Sequence, residues 1–423
     1  MSDYSLAIDL GSTCFKAAIF DKNLQLIGNG VHYLSYLHRD SKVELSVEEV
    51  ETAFSKIIEE AIESAAIDAS EVCGVGISSQ AQTFMLTENN IPVTNFISWE
   101  DSRGLVRKDG VFSDFKEHSS FYEMLSPLQI AQLLRISAEK DMAPTTKVIS
   151  LPSYLIYLLS GEFVIDNNLA AMSGCFSIPE NRWKLSYLEY CGLNESSFCE
   201  VIPLGSVAGN LKENSFSLKR GIPVYCCGND QTAGAAGVEL ADNDMLMTLG
   251  TAQVLYQRAA TMPASEEQII RGPYLNSGFY HLMCTSGGSL ISKVIQMNVG
   301  IKNFDDFFAK VEEGHMIPDL TVNDNGEIEF PQLSSPQDIA FSVLKYICLS
   351  MKNMYIKFVE IGKIPNKLLV AGGGNKNKIW LDMLTNELGK ELLPVDASPL
   401  HGVARIMKLK QHKNESANHE SKI

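Results

Sequence analysis

The chain has 423 residues, of which 45% are hydrophobic and 20% are charged. This composition predicts two or three ordinary domains and excludes a disordered chain. The formal net charge of −16 excludes a general nucleic-acid-binding protein, because an acidic surface repels a phosphodiester backbone. A single bound nucleotide stays compatible with that charge, since backbone N–H groups and a metal ion can hold its phosphates.

The cysteine pattern and the N-terminus indicate a cytoplasmic protein. Nine cysteines are scattered without a C-x-x-C pair, which is typical of reduced thiols. The first residues lack a basic segment followed by an apolar one, so we expect no secretion signal. The most apolar stretch, residues 148–165, is interrupted by Pro152 and Gly161, and we therefore expect no membrane span.

The sequence of the first third of the chain predicts strands that end at turns of polar residues. Apolar runs at 6–9 and 16–20 flank a Gly-Ser-Thr corner, so they predict a hairpin whose tip exposes backbone N–H groups. Ser46 is placed as the N-cap of a helix that begins at Val47. Residues 72–77 predict a buried strand that ends at 78–80.

The opening pattern returns about half a chain later. Residues 222–227 predict another strand, and 245–249 then lead through Gly250-Thr251 into a strand at 254–256. Two copies of this unit predict two domains of like topology that face each other. Near the end, a strand at 368–371 meets three glycines and a helix over 378–388. The residues from about 411 form a polar tail that we expect to fray.

The first corner carries the groups that bind phosphate. Asp9 stands at a strand end, and Gly11, Ser12, Thr13 and Lys16 follow it. Flexible backbone, hydroxyl donors and a cation suit phosphate oxygens, and the carboxylate can hold Mg²⁺ through water. An ordinary hairpin turn is the alternative. The glycine-rich segments at 250–251, 286–289 and 372–374 can likewise be interpreted either as phosphate-binding or nucleotide-binding loops or as ordinary turns.

Two further stretches carry candidate chemistry. Asp230 follows a buried strand and precedes a helix, so it is either a helix N-cap or a general base. Trp99, Asp101 and Arg103 combine a flat apolar face with charges that can bind sugar hydroxyls. The alternative for this second stretch is an amphipathic loop with a surface ion pair. The G-x-x-x-x-G-K-[ST] motif is absent, which excludes a P-loop enzyme.

Taken in order, these motifs resemble the FGGY family of carbohydrate kinases, within the actin-like ATPase superfamily. The resemblance runs from about residue 5 to 408 and is closest to xylulose kinases. It covers the phosphate-1 motif at 9–16, the substrate stretches at 76–80 and 99–103, an L-[ST]-G-E…D segment at 158–166, the catalytic segment at 228–234, phosphate-2 at 249–251, a Gly-Gly pair at 287–288 and the adenosine motif at 372–380.

Some positions depart from the family pattern. Xylulose kinases usually carry Met-His after the substrate-site Gln, and glycerol kinases usually carry Arg-Glu there. This chain has Ala81-Gln82, which makes glycerol an unexpected substrate. The adenosine motif contains Asn375-Lys-Asn377 where small residues are commoner. These departures leave the identity of the sugar open.

The resemblance implies an α/β fold of two ribonuclease-H-like (actin-like ATPase) domains with an interdomain cleft. Residues 1–237 would bind the sugar and residues 238–423 would bind ATP. The expected activity is transfer of the γ-phosphate of ATP to a hydroxyl of a ketose or polyol. A catalytically silent sugar or nucleotide sensor and a chaperone-like ATPase are the alternatives.

The resemblance also implies site roles. Asp230 would be the general base, and Asp9 would hold Mg²⁺ through water. The expected partner is a small-molecule sugar, with neither nucleic acid nor membrane, and a second copy of the chain is left open. The sugar contacts would be Gln80, Gln82, Trp99, Asp101, Arg103, Asp230 and Gln231. The contacts to ATP would be Gly11, Ser12, Thr13, Lys16, Gly250, Thr251, Gly287, Gly288, Gly372, Gly373, Gly374 and Asn377.

Overall fold

The structure is a computed structural model that describes residues 4–212, 216–317, 320–323, 327–332, 334–396 and 398–420. Its contacts divide the chain into two compact units. The first unit comprises Met1–Glu239, Ala260–Tyr280 and Ser398–Ile423, and the second comprises Leu240–Ala259 and His281–Ala397. In contrast to the predicted division at residue 237, a middle segment and the C-terminal segment group with the first unit.

The chain alternates strands and helices, as expected for an α/β protein. The strands are β1 (Tyr4–Leu10), β2 (Cys14–Phe20), β3 (Leu26–Tyr33), β4 (Leu37–Arg39), β5 (Lys42–Leu45), β6 (Val72–Ser79), β7 (Phe84–Glu88), β8 (Ile91–Pro92), β9 (Phe96–Ile97), β10 (Thr146–Ser150), β11 (Val164–Asp166), β12 (Phe176–Ser177), β13 (Arg182–Trp183), β14 (Glu200–Ile202), β15 (Val207–Asn210), β16 (Pro223–Asn229), β17 (Met245–Leu249), β18 (Ala252–Ala259), β19 (Ile270–Pro273), β20 (Phe279–Ser286), β21 (Thr321–Val322), β22 (Ile328–Glu329), β23 (Leu368–Ala371) and β24 (Leu393–Pro394).

The helices complete the alternation. They are α1 (Val47–Ala65), α2 (Phe115–His118), α3 (Gln129–Glu139), α4 (Leu151–Ser160), α5 (Asn167–Ala171), α6 (Leu185–Tyr190), α7 (Asp230–Gly237), α8 (Gly288–Gln296), α9 (Phe304–Val311), α10 (Pro336–Glu360), α11 (Lys378–Leu388) and α12 (Pro399–Glu420). Among the described residues, no helix has both the length and the apolar character needed to cross a bilayer.

The main sheet of the first unit has the order β15-β16-β6-β1-β2-β3. Its inner strands β16, β6 and β1 are parallel. Strands β1 and β2 form the predicted antiparallel hairpin, and β3 pairs antiparallel with β2. Helix α1 covers one face of this sheet and buries Val50, Phe54 and Ile57. Its N-cap is Ser46, as predicted, and the Ser46 hydroxyl accepts the N–H of Glu49 at 3.1 Å.

The second unit repeats the strand arrangement of the first. Strands β17 and β18 form an antiparallel hairpin around Gly250-Thr251, and β17 pairs in parallel with β23. The hairpin of β1 and β2 around residues 11–13, with β6 parallel to β1, has the same connectivity. The repeat in the sequence therefore corresponds to a repeat in topology. Helix α11 spans Lys378–Leu388 as predicted, whereas α12 continues past residue 411 to Glu420, so the helix extends into the predicted tail.

Helix α12 belongs to the first unit because it packs closely against α7. A Cβ atom on Gly402 would overlap the carbonyl oxygen of Ala233, so only glycine permits this approach. The Arg405 guanidinium donates to the Gly237 carbonyl at 2.9 Å and pairs with Glu239. The chain thus returns from the second unit to support the helix that begins at Asp230.

We expect the substitution Gly402→Ala to lower the free energy of unfolding by about 1–3 kcal/mol, the usual cost of forcing an extra carbon into a packed interface. Urea denaturation of the full chain measures this loss. Gly234→Ala on α7 is the matched control, because nothing lies within 4 Å of a Cβ atom there. Equal stability of the two variants would contradict the proposed close approach.

Candidate active site

The parallel strands of the first unit bring three polar segments to one sheet edge. Asp9 on β1 lies opposite Lys16 on β2 and opposite Ser78 on β6. Asn229, the last residue of β16, lies opposite Ser79. Because β1, β6 and β16 are parallel, their carboxyl ends meet at the same edge, where ligands of open α/β sheets bind.

Asp9 is a buried carboxylate whose surroundings disfavour its charge. It is 6% exposed, and the Ser78 hydroxyl donates to its Oδ1 atom at 3.1 Å. Burial, which has the largest effect, and the nearby charge of Asp230 together raise the pKa of Asp9 to about 7, although Lys16 and the Ser78 hydrogen bond oppose the rise.

Asp230 is the first residue of α7, one position beyond the helix cap. Asn229 is the N-cap, since its side-chain oxygen accepts the N–H of Thr232 at 2.8 Å. The interpretation of Asp230 as an N-cap is therefore wrong. Its half-buried carboxylate accepts the N–H of Gln231 at 2.8 Å, and burial raises the pKa of Asp230. The Gln231 amide also reaches this carboxylate at 3.4 Å.

The turn between β1 and β2 presents free backbone donors. The carbonyl of Gly11 accepts from Gln80 and that of Thr13 accepts from Leu34. Among the described residues, the N–H groups of Gly11, Ser12 and Thr13 find no acceptor. Thr13 and Lys16 are exposed beside them. This arrangement fits the oxygens of a phosphate group.

Two of the predicted sugar contacts, Gln80 and Trp99, are linked by a hydroxyl that the motif analysis missed. Thr83 Oγ1 donates to Gln80 Oε1 at 3.1 Å and accepts the N–H of Trp99 at 3.2 Å. Trp99 is 40% exposed, so its ring is available to a ligand. Gln82 is half-buried with a φ of 69°, a left-handed backbone that is uncommon outside glycine and is found at functional sites. The polar run from Gln80 to Thr83 is the only sequence signal for Thr83.

The structure corrects the predicted contact between Asp101 and the sugar. Asp101 is 0% exposed, and its oxygens accept N–H groups from Val43, Arg103 and Gln132. The Arg103 guanidinium forms a bond of 2.6 Å to Asp101 and one of 2.8 Å to Glu44. These hydrogen bonds hold the pKa of Asp101 below its usual range, although burial alone would raise it. Asp101 and Arg103 therefore anchor the loop that carries Trp99.

The glycine motifs of the second unit converge around the end of β17. The N–H groups of Gly287 and Gly288 donate to the carbonyls of Thr251 and Gly250 at 3.1 and 2.8 Å. Gly372 has a φ of 90°, and a Cβ atom there would lie 2.5 Å from the Leu249 carbonyl oxygen. The three glycine-rich spots, far apart in sequence, thus form one surface.

This convergence changes the expected roles of several nucleotide contacts. The N–H groups of Gly287 and Gly288 are occupied, so these residues shape the loop and do not donate to a phosphate. The Asn377 side chain accepts the N–H of Trp380 at 3.1 Å as the N-cap of α11. Gly373 is exposed, and nothing lies within 4 Å of a Cβ atom placed on it. Gly250 and the exposed Thr251 stand beside it at the same strand end.

A buried polar network missed by the motif analysis lies behind Asp230. Asp166 and Asn168 are both buried, and they hydrogen-bond the backbone of Gly228 and Asn229. The sequence signals for this network are the run of three polar residues at 166–168 inside an apolar segment and the family motif that ends at Asp166.

The residues present fit Mg²⁺ and ATP. Among the described residues, no group of three or more His, Cys, Asp or Glu side chains could hold a metal. Mg²⁺ needs no such group, because it binds one or two carboxylates and keeps several waters. Asp9, with the Asp230 carboxylate near it, supplies such carboxylates at the edge where the parallel strands end.

We expect Asp9→Asn to stabilise the folded chain at pH 8 and to leave its stability unchanged near pH 4. The folded pKa of Asp9 is about 7 and its unfolded value is 3.8. Between these values the folded chain keeps a proton that the unfolded chain releases, so stability falls as the pH rises. At pH 8 the gain in free energy of unfolding is up to roughly 4 kcal/mol.

Thermal and urea unfolding at several pH values measure this difference. The exposed carboxylate Asp40 gives the control variant Asp40→Asn, which we expect to unfold like the unchanged chain at every pH. A pH-independent effect of Asp9→Asn would contradict the charge explanation.

Comparison with known proteins identifies the relatives of the chain. The N-terminal domain of the FGGY family of carbohydrate kinases matches residues 4–237, more than half of the chain. Glycerol kinase 2 from Sulfolobus acidocaldarius is 26% identical over an alignment of 282 residues that covers 63% of this chain and 56% of that protein. The chain thus spans about half the length of the curated relatives it matches.

Solved structures share the fold over nearly the whole chain. A ligand-bound xylulose kinase from Lactobacillus acidophilus has a TM-score of 0.84 at 16% identity, covering 96% of this chain and 90% of its own. Plasmodium falciparum glycerol kinase with ADP has a TM-score of 0.81 at 16% identity, with coverages of 96% and 90%. The predicted actin-like ATPase fold is confirmed. The chain belongs to the FGGY family of carbohydrate kinases.

Proposed function

We propose that the protein is an ATP-dependent kinase that transfers the γ-phosphate of ATP to a hydroxyl of an uncharged ketose or polyol. The observation that carries this proposal is the position of Asp230. The Asp230 carboxylate does not cap α7, and it lies near Asp9 at the same edge of the sheet. Its pKa is raised. A carboxylate in this setting suits a general base.

The first unit would bind the sugar and the reacting ends of both ligands. Asp230 would accept the proton of the attacking hydroxyl, and Gln231 would hold the Asp230 carboxylate in place through its N–H. The exposed ring of Trp99 would stack on the carbon face of the sugar. Gln80 and Gln82 would contribute amides to sugar hydroxyls, with Thr83 fixing the Gln80 amide.

The phosphates would lie against the turn between β1 and β2. The free N–H groups of Gly11, Ser12 and Thr13 and the ammonium of Lys16 supply donors for them. Asp9 would hold Mg²⁺ through its waters, and the cation neutralises phosphate charge during transfer when it is bound. In the second unit, Gly250 and Thr251 would hold phosphate, and Gly372, Gly373 and Gly374 would lie against the base.

The charge pattern supports an uncharged substrate. The guanidinium beside Trp99 is already bonded to two carboxylates, Asp101 and Glu44. A sugar acid would need a cation near its carboxylate, and Arg103 is committed elsewhere. The named relatives include glycerol and xylulose kinases. The Ala81-Gln82 pair leads us to propose a ketose or polyol of about five to seven carbons over glycerol.

A substrate panel tests the proposed activity. We expect ADP release that depends on a ketose or polyol, and little release with aldonates or with glycerol at equal concentration. A coupled ADP assay with Mg²⁺ and ATP measures it across the panel. The best kcat/KM with glycerol would contradict the substrate class. Sugar binding without ADP release would indicate the sensor, and ADP release without sugar dependence would indicate the chaperone-like ATPase.

The role of Asp230 gives a sharper test. Asp230→Asn keeps the shape of the side chain but cannot accept the proton, so we expect kcat to fall by roughly 10²–10⁴-fold. Asn229 still caps α7 in this variant, so the ATP affinity should change little. The melting temperature should not fall, because the substitution removes a charge that disfavours the charged form of Asp9. Steady-state kinetics, calorimetric ATP titration and thermal unfolding provide the three measurements.

A conservative change at a surface carboxamide provides the comparison. Asn181→Asp lies on an exposed turn of the same unit and should keep kcat within about twofold, as expected for surface substitutions away from special features. Retention of most sugar-dependent ADP release by Asp230→Asn would show that Asp230 is not the base.

A further inference from the structure

We propose that Asn168 is a positioning residue that fixes the direction of the Asp230 carboxylate through Asn229. The proposal rests on the proposed function, because it assumes that Asp230 accepts a proton. Asn168 is the second residue of α5, it is 0% exposed, and it belongs to the same unit as Asp230. It therefore acts from behind the site, without contact to a substrate.

Both polar atoms of the Asn168 side chain form hydrogen bonds. Its amide oxygen accepts the backbone N–H of Asn229 at 2.9 Å and the side-chain N–H of Asn229 at 2.9 Å. Its amide nitrogen donates to Thr232 Oγ1 at 3.1 Å and to the Pro273 carbonyl at 2.7 Å. One side chain thus ties the residue before Asp230 to a residue two positions after it and to the end of β19.

The Asn229 cap depends on this arrangement. The Asn229 side chain donates to Asn168 and accepts the N–H of Thr232. Since the cap amide is held from both sides, the first turn of α7 has one orientation. The carboxylate of Asp230 projects from that turn, so its direction follows the position of Asn168.

A second buried hydrogen bond holds Gly228, the residue that precedes Asn229. Gly228 has a φ of 75°, and the pairing of β16 with β6 shifts register between Cys226 and Asn229. Asp166 accepts the N–H of Gly228 at 3.1 Å. The strand therefore ends in a kink whose two sides are held by Asp166 and Asn168, two residues apart in one short segment, and Asn168 holds the side nearer to Asp230.

The hydrogen bonds formed at position 168 require an asparagine side chain. The site needs an acceptor for two N–H groups and a donor for a hydroxyl and a carbonyl, all from one short side chain. Aspartate supplies the acceptor but not the donor, and alanine supplies neither. Removal of the amide leaves buried partners unsatisfied and loosens the junction. A displacement of about 1 Å at a catalytic group can reduce the rate about 10²-fold.

The test is a double-mutant cycle on the full chain. We expect Asn168→Ala to lower kcat by roughly 10–100-fold with little change in the KM for ATP. In the Asp230→Asn background the same substitution should lower kcat by less than about twofold, because the base through which Asn168 acts is gone. Asn167→Ala is the matched control. Asn167 lies on the same helix, and its side chain accepts from Leu204 and donates to Asn181.

Variants of Thr232 provide a second test of the proposed role of Asn168. Thr232→Val removes the acceptor for the Asn168 amide, while Thr232→Ser keeps it, so we expect a loss of kcat in the first variant only. These variants carry the test if Asn168→Ala fails to fold. Equal losses of kcat for Asn167→Ala and Asn168→Ala, or additive losses in the cycle, would overturn the inference. A normal kcat of Asp230→Asn alone would instead overturn the proposed function.

Discussion

The burial of the Asp9 carboxylate beside the half-buried carboxylate of Asp230 is the constraint around which the first unit is organised. Asp9 and Asp230 share one edge of the main sheet, where burial and their mutual charge raise the pKa of Asp9 to about 7. Such an arrangement costs stability in a folded chain without ligands. It is useful only if something positive neutralises it, and a divalent cation with its waters fits one or two carboxylates. A divalent cation bound at Asp9, as proposed for this site, would offset that cost.

Much of the surrounding structure holds these carboxylates in place. The kink at Gly228, the cap at Asn229 and the buried amide of Asn168 fix the start of α7. From the opposite side, α12 approaches α7 so closely that position 402 admits only glycine. A helix from the end of the chain thus supports a carboxylate near its middle. This packing explains why the C-terminal segment groups with the first unit and departs from the linear division at residue 237.

The sequence predicted those elements whose signals are local. The hairpin before Phe20, the Ser46 cap and helix α11 follow from periodicity and capping chemistry. The family motifs located the glycine corners and both carboxylates. The features that the sequence could not predict depend on tertiary burial. Asp101 and Arg103 were predicted to bind the ligand, but Arg103 pairs with Asp101 and with Glu44, which is distant in sequence. Asn168 carries no motif, and its role depends on partners more than 60 residues away.

The duplicated topology explains why the two units would divide the chemistry. Each has a hairpin around a Gly-[Ser/Thr] corner and a parallel strand beside its first strand. In the first unit the strand ends carry Asp9 and lead into Asp230, so charge is concentrated there. In the second unit Thr248 has the position that Asp9 has in the first, so the end of β17 carries no carboxylate, and Gly250 and Gly372 leave bare backbone there. Charged side chains suit proton and cation chemistry, whereas bare backbone suits a flat ring and phosphates. One topology would thus support the two proposed tasks because the matching strand ends carry different residues.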